Sequence, residues 1–146
     1  MTEQTAGRRM PVAAVGVVCL RDNAVLMIQR GRAPLKGAWS LPGGKIEWGE
    51  RAADAAMREL AEETGVTAEL LGLIDVVDGL FLGDGESSHY VLVDYAARWL
   101  AGEPVAGDDA ARAVFVPITE LSPLDLWPET MRIIMQAHAR FRASRS

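Results

Sequence analysis

Residues 44 to 66 read GKIEWGERAADAAMRELAEETGV, and the second half of that stretch is the strongest constraint on how this chain folds. Ala53, Ala56, Met57 and Leu60 recur at i, i+3, i+4 and i+7, the period of an amphipathic helix, and Gly65 is placed to end it in a left-handed turn. That helix carries Glu59, Glu62 and Glu63 in its last turn. There the carbonyl end of the macrodipole disfavours each negative charge by ~0.3–1 kcal/mol. Glu59 and Glu63 also form a like-charged i, i+4 pair, costing a further ~0.2–0.5 kcal/mol. The fold must therefore put the end of this helix where three carboxylates are useful.

At about 100° per residue the three glutamates share an arc of about 100°, with Glu59 and Glu63 at the edge of the apolar stripe. A solvated acidic face is the plain alternative. Arg58 can offset one charge, Glu62 at i+4 being the nearest, but not three. Hard oxygen donors on one arc suit Mg²⁺ or Mn²⁺, which keeps several waters and binds through a few carboxylates and substrate phosphate. Just upstream, Leu41-Pro42-Gly43-Gly44-Lys45 forms a turn whose backbone can approach a ligand closely, with a lysine as a point charge for phosphate.

The stretch resembles the Nudix box, G-x5-E-x7-R-E-U-x-E-E-x-G-U with U a bulky aliphatic residue. Gly44, Glu50, Arg58, Glu59, Leu60, Glu62, Glu63, Gly65 and Val66 fill all nine specified positions over 23 residues. Trp39 before Pro42-Gly43-Gly44-Lys45, and Gly102-Glu103-Pro104 downstream, are similar to the MutT-like branch. The resemblance implies an α/β/α sandwich with a mixed sheet and two main helices. It implies hydrolysis of a nucleoside diphosphate linked to another moiety. Glu59, Glu62 and Glu63, with the Gly43 carbonyl, would hold one or more divalent ions, and Arg58 and Glu50 would pair to orient those ligands. An activated water would attack phosphorus, with Glu59 or a loop carboxylate as base. Asp108 and Asp109 are the nearest residues for a further carboxylate that MutT-like members take from a late loop. Gly44 and Lys45 would meet the substrate phosphates.

The rest of the chain fits one domain over 10–146 after a loose N-terminal segment 1–9. VAAVGVVCL and AVLMIQR flank Arg21-Asp22-Asn23 as a β-hairpin. GRAPLKGAWSLPGGK reads as a loop, AELLGLIDVV and HYVLVDYAARWL as strands on either side of GDGESS, GEPVAGDDAA as a loop and RAVFVP as a last strand. From about Pro128 a helix presents Met131, Ile134, Met135, His138 and Phe141 on one stripe, with His138 expected as a satisfied core histidine. The apolar run after Arg8-Arg9 is about ten residues, against the roughly 20 needed to span a bilayer, so a buried strand and a cytoplasmic protein are expected. A net charge of −5 argues against stable binding to nucleic acid or an anionic membrane. The single cysteine, Cys19, allows no internal disulfide and is expected to be buried and inert.

For the substrate, Trp48, Phe81, Tyr90 and Trp127 could stack on a base, Trp127 foremost, and His89 could reach it. No proline lies between Pro42 and Pro104, where ADP-ribose-specific relatives carry one, and the first tyrosine after the box is Tyr90, too late for a dinucleoside-polyphosphate signature. The NADH-type and coenzyme A motifs are absent too. A (d)NTP is therefore the first expectation, with ADP-ribose or a nucleotide sugar second. A Nudix-like binding module without catalysis is the alternative of another class. Dimers are frequent among relatives, so a homodimer is compatible with the resemblance.

Overall fold

A computed structural model of the chain describes residues 9–32, 35–81, 87–107 and 109–142. Most of the N-terminal segment 1–9, the first four residues of GDGESS and Asp108 lie outside the described residues. The first strand, β1 (Val12–Arg21), is buried almost without interruption from Val15 to Leu20. Such a continuous apolar run belongs to a strand covered on both faces. Val15, Val17 and Cys19 pack with Leu26 under Ala55, Ala56 and Leu60 of helix α1 (Ala52–Thr64). Val18 and Leu20 pack with Ala96 under Ile133, Ile134 and Ala137 of helix α2 (Pro128–Arg142). The result is an α/β/α sandwich, with one helix on each side of the sheet.

The other strands are β2 (Ala24–Arg30), β3 (Trp39–Ser40), β4 (Gly43–Lys45), β5 (Thr67–Phe81), β6 (Ser88–Ala101) and β7 (Ala110–Pro117). The path runs β3-β2-β1-β6-β5, with β4 also on β1 and β7 also on β2. β1 and β6 are parallel, from Val12↔Tyr90 to Leu20↔Arg98, and the remaining pairings are antiparallel, so the sheet is mixed.

The β1–β2 hairpin exists only at its tip, where Leu20 pairs with Val25 and Arg21 with Ala24. Beyond that β2 parts from β1 while keeping β7 along its other edge from Ala24 to Arg30, and the freed edge of β1 accepts β4 at Ala14↔Lys45, Val15↔Gly44 and Gly16↔Gly43. The segment expected as an uninterrupted loop thus contains two short strands. They are too short for a period-2 pattern to reveal, and β4 is rich in glycine, which is depleted in strands. It is a strand because an open edge needs pairing.

Both helices are rotated from their expected stripes. On α1 the buried positions are Ala55, Ala56, Leu60 and Thr64, with Ala53 and Met57 only half-buried. On α2, Ile133 and Ala137 replace Met135, which is 45% exposed. His138 sits at the rim of the core rather than in it, with Nε2 3.4 Å from Asn23 Oδ1 in the β1–β2 turn. Cys19 is fully buried, and desolvation pushes its thiol up to about 12, which leaves it un-ionised. No helix among the described residues is long and apolar enough to cross a membrane.

Candidate active site

Helix α1 ends at Gly65, whose φ of 72° is left-handed and whose N–H donates to the Ala61 carbonyl. The carbonyls of Glu63 and Thr64 accept from Gly107 and Val105 of the loop before β7, both at 2.9 Å. Backbone donors therefore satisfy the helix end, a task that ionised carboxylates, which only accept, could not perform.

Those side chains face different surroundings. Glu59 is 15% exposed, and its carboxylate lies against the Cα of Gly44. Glu63 is half-buried, and its Oε1 accepts the Gly43 N–H at 2.7 Å. Glu62 is the outermost, at 59% exposure. Arg58 lies at the centre of this group. It pairs with Glu50 through Nε at 2.7 Å and Nη2 at 2.9 Å, and its Nη1 lies 3.1 Å from both Glu59 and Glu62. Its Nη2 also donates to the Lys45 carbonyl at 3.2 Å. One guanidinium is thus shared by three carboxylates, not matched to Glu62 alone as i, i+4 spacing implied.

Glu63 has no such partner. Desolvation, then repulsion from Glu59, Asp109 and Glu62, pushes its carboxyl up to about 7 despite the Gly43 N–H. Glu59 is also raised, chiefly by desolvation and against the pull of Arg58. Glu50 goes the other way, to about 2, because Arg58 and the Glu47 N–H bond its charged form. Among the described residues no three acidic, histidine or cysteine groups already stand at ion-holding distance. The donor set nevertheless fits a hard divalent cation: two carboxylates are held against one turn at a cost in desolvation and, less, in charge repulsion that an ion would offset.

Gly43 and Gly44 allow this approach, and they do so differently. A Cβ on Gly43 would run into the Val15 carbonyl, whereas a Cβ on Gly44 would meet only the Glu59 carboxylate. Gly43→Ala is therefore expected to lose ~2 kcal/mol or more, since backbone must move. Gly44→Ala should lose less, about 1 kcal/mol, since only the Glu59 side chain and its contact with Arg58 must shift rather than backbone. Urea denaturation of both proteins checks the order, and equal losses would contradict the contact.

On the other side of this turn lies a cavity of about 500 Å³. Gly43, Gly44 and Lys45 form one rim. Ala14, Gly16, Leu41, Val77 and Leu92 line its apolar wall, and Tyr90, Phe81 and Trp127 its aromatic wall. Phe81 and Trp127 pack at 5.4 Å between ring centroids, tilted by 53°. None of the three glutamates lines the cavity; Glu59 and Glu63 reach the turn from the α1 face, while the cavity opens on the α2 face. The structure does not bring Trp48 or His89 to the cavity, and Trp48 is wholly exposed in the loop before α1. Asp109 is exposed and ion-paired to Arg32 at 3.3 Å, though its charge still reaches Glu63. Asp108 lies outside the described residues.

The sequence singled out none of the polar cavity residues Arg30, Ser40, Glu129 and Thr130, nor the buried Asp94. Asp94, in the middle of β6, is 6% exposed and lines the cavity over Gly16. The one available signal was an acidic residue inside the apolar run YVLVDYAA.

A mixed-sheet α/β/α sandwich with this helix-and-turn arrangement is the architecture of the MutT-type structures. A MutT NUDIX hydrolase from Burkholderia pseudomallei superposes with a TM-score of 0.77 at 32% identity, over 88% of this chain and 98% of that one. The family model described as NUDIX domain matches residues 10–137. The chain belongs to the Nudix family. Relatives include a Methanocaldococcus jannaschii ADP-ribose pyrophosphatase, 34% identical over 78% of this chain and 66% of that one. A putative 8-oxo-dGTP diphosphatase 2 from Mycobacterium tuberculosis is 39% identical over 75% of each chain. This chain spans just under two thirds of the archaeal relative's length.

Proposed function

We propose that this chain is a divalent-metal-dependent pyrophosphohydrolase that cleaves the P–O–P bridge of a nucleoside diphosphate derivative, first of all a (d)NTP to (d)NMP and pyrophosphate. The observation that carries the reading is the double-sided Gly43–Gly44 turn. Carboxylates press on it from one face, and a cavity with an aromatic wall begins on the other. In this reading Glu59, Glu62 and Glu63 hold Mg²⁺ or Mn²⁺. The bound ion supplies Lewis-acid polarisation and neutralises charge on the leaving phosphate.

The chain's own groups do the remaining work. Arg58, locked by Glu50, keeps Glu59 and Glu62 oriented. Glu59, partly desolvated and raised, is the candidate base for the attacking water. Lys45 and the backbone at Gly44 hold phosphate oxygens, and Trp127 with Phe81 covers the base. Asp109, exposed and paired, serves as a second carboxylate only after leaving Arg32. ADP-ribose is the second reading, favoured by the activity for which the archaeal relative is named.

The test is product analysis with Mg²⁺ or Mn²⁺ in ¹⁸O-labelled water, using dNTPs, NTPs, ADP-ribose and nucleotide sugars. A (d)NTP should give (d)NMP and pyrophosphate, with label on phosphorus; ADP-ribose should give AMP and ribose 5-phosphate. NDP and orthophosphate as primary products would overturn the assignment. Binding without any hydrolysis would leave a non-catalytic nucleotide-binding module.

A further inference from the structure

Asp94 is the only charged side chain in the buried class among the described residues. Its neighbours on β6 are Val93 and Tyr95, and its carboxylate lies over Gly16 so closely that any Cβ at that position would collide with Oδ1. Among the described residues no hydrogen bond or ion pair reaches it. Arg30, Lys45 and Glu129 line the same cavity, but the charges that act on Asp94 are Asp75 and Arg132, and these two are committed to each other. Asp75, opposite it on β5, accepts from the Val76 N–H at 2.8 Å and from Arg132 Nη1 at 3.2 Å. Glu129 on α2 takes the other side of Arg132 at 2.8 and 3.2 Å. The Asp94 oxygens keep some contact with the cavity, but a carboxylate this poorly hydrated and without a protein partner is costly to hold charged, and a ligand that donates to it would relieve that cost. Burial and the Asp75 charge raise its carboxyl to about 6, which still leaves it mostly ionised at neutral pH.

The position of Asp94 indicates which part of a ligand it meets. Gly43, Gly16 and Asp94 stand side by side across β4, β1 and β6, two interstrand steps or about 10 Å apart. That separation is of the order of a nucleotide's length from bridging phosphate to the far edge of its base. Trp127, Phe81 and Tyr90 form the aromatic wall on this side, so a flat base lying there would present its edge to Asp94. An ionised carboxylate accepts only, and it accepts best from two parallel N–H donors. Guanine offers that pair in N1–H and N2–H. Adenine offers one donor beside the N1 lone pair, which would face the carboxylate unfavourably.

We propose that Asp94 is a specificity-determining residue that accepts the N1–H and N2–H of a guanine-type base, so that the cavity selects guanine over adenine nucleotides. The inference rests on the hydrolase reading for its substrate class. It concerns the Watson–Crick edge alone, which 8-oxoguanine shares with guanine.

The test measures kcat/KM for GTP, ITP and ATP with Mg²⁺, and calorimetric binding of GMP, IMP and AMP, for wild type and Asp94→Asn. Wild type should rank guanine, then hypoxanthine, which lacks the 2-amino group, then adenine. GTP should exceed ATP by roughly ten-fold or more, chiefly through KM. Asp94→Asn should erase or invert that ratio, because a carboxamide can donate to adenine N1 and accept from its amino group. Equal treatment of the three bases by wild type, no binding of any of them, or guanine preference retained in Asp94→Asn would overturn the proposal. If Asp94→Asn melts far below wild type, the three-base series on the wild-type protein decides alone. Hydrolysis without base preference removes this inference only. Guanine-selective binding without hydrolysis removes the hydrolase reading and leaves this one standing.

Discussion

Glu59→Gln is expected to lower kcat by about 100-fold or more while leaving the metal-free protein folded. The side chain is 15% exposed, rests on Gly44 and touches Arg58 at 3.1 Å, so its carboxylate has one narrow range of positions. Glutamine fills the same space and keeps an acceptor oxygen, but it cannot take a proton from water and is a poorer ligand for a hard cation. Glu63→Gln should lose a similar amount, and Glu62→Gln about ten-fold, because Glu62 is the most exposed of the three. Steady-state kinetics at saturating Mg²⁺, with melting curves alongside, give the answer. A Glu59→Gln protein within about two-fold of wild type would exclude the proposed site.

The second large effect is on stability. Glu63 titrates near pH 7 when folded, against about 4.3 in an unfolded chain. Below about pH 4.3 both states hold the proton and the group is neutral for stability. As pH rises from there to 7 the unfolded state ionises first, so metal-free stability falls and then levels off. The full shift corresponds to ~3–4 kcal/mol, and partial solvent access should reduce it to ~2 kcal/mol. Asp94, raised to about 6, contributes a similar decline at lower pH. Glu50, lowered to about 2, loses its favourable share only as pH drops below about 4. Glu63→Gln should therefore flatten the curve between pH 6 and 7 and leave the Asp94 part below it. Mg²⁺ should raise Tm more at pH 8 than at pH 5.5, since the ionised carboxylate is the ligand. Urea titrations in EDTA from pH 5 to 8 make the comparison, and parallel curves for wild type and Glu63→Gln would refute the account.

Of the three glutamates Glu63 is the one left without an arginine partner, and the sequence could not show this. All three glutamates share one helical arc, but Arg58 reaches only two of them, because Glu50 and the Lys45 carbonyl fix where its guanidinium lies. The helix itself, its end at Gly65 and the strands β1, β2 and β5 to β7 were legible because each carries its own period or stop signal. β3 and β4 were not, since their pairing depends on where β2 leaves β1. Asp94 was missed for the same reason. Its place in the cavity comes from parallel pairing with Gly16, a contact 78 positions away in the chain that no local pattern contains.

The two faces of the sheet are built by different helices, α1 over the carboxylate end and α2 over the cavity, and β4, with two glycines among its three residues, lies at the border between them. Changes along the α2 face can reshape the cavity while α1 and its contacts stay as they are. A chain with this plan can diverge in ligand choice through one layer and inherit its reaction chemistry through the other, much as an interchangeable tool head fits a fixed handle.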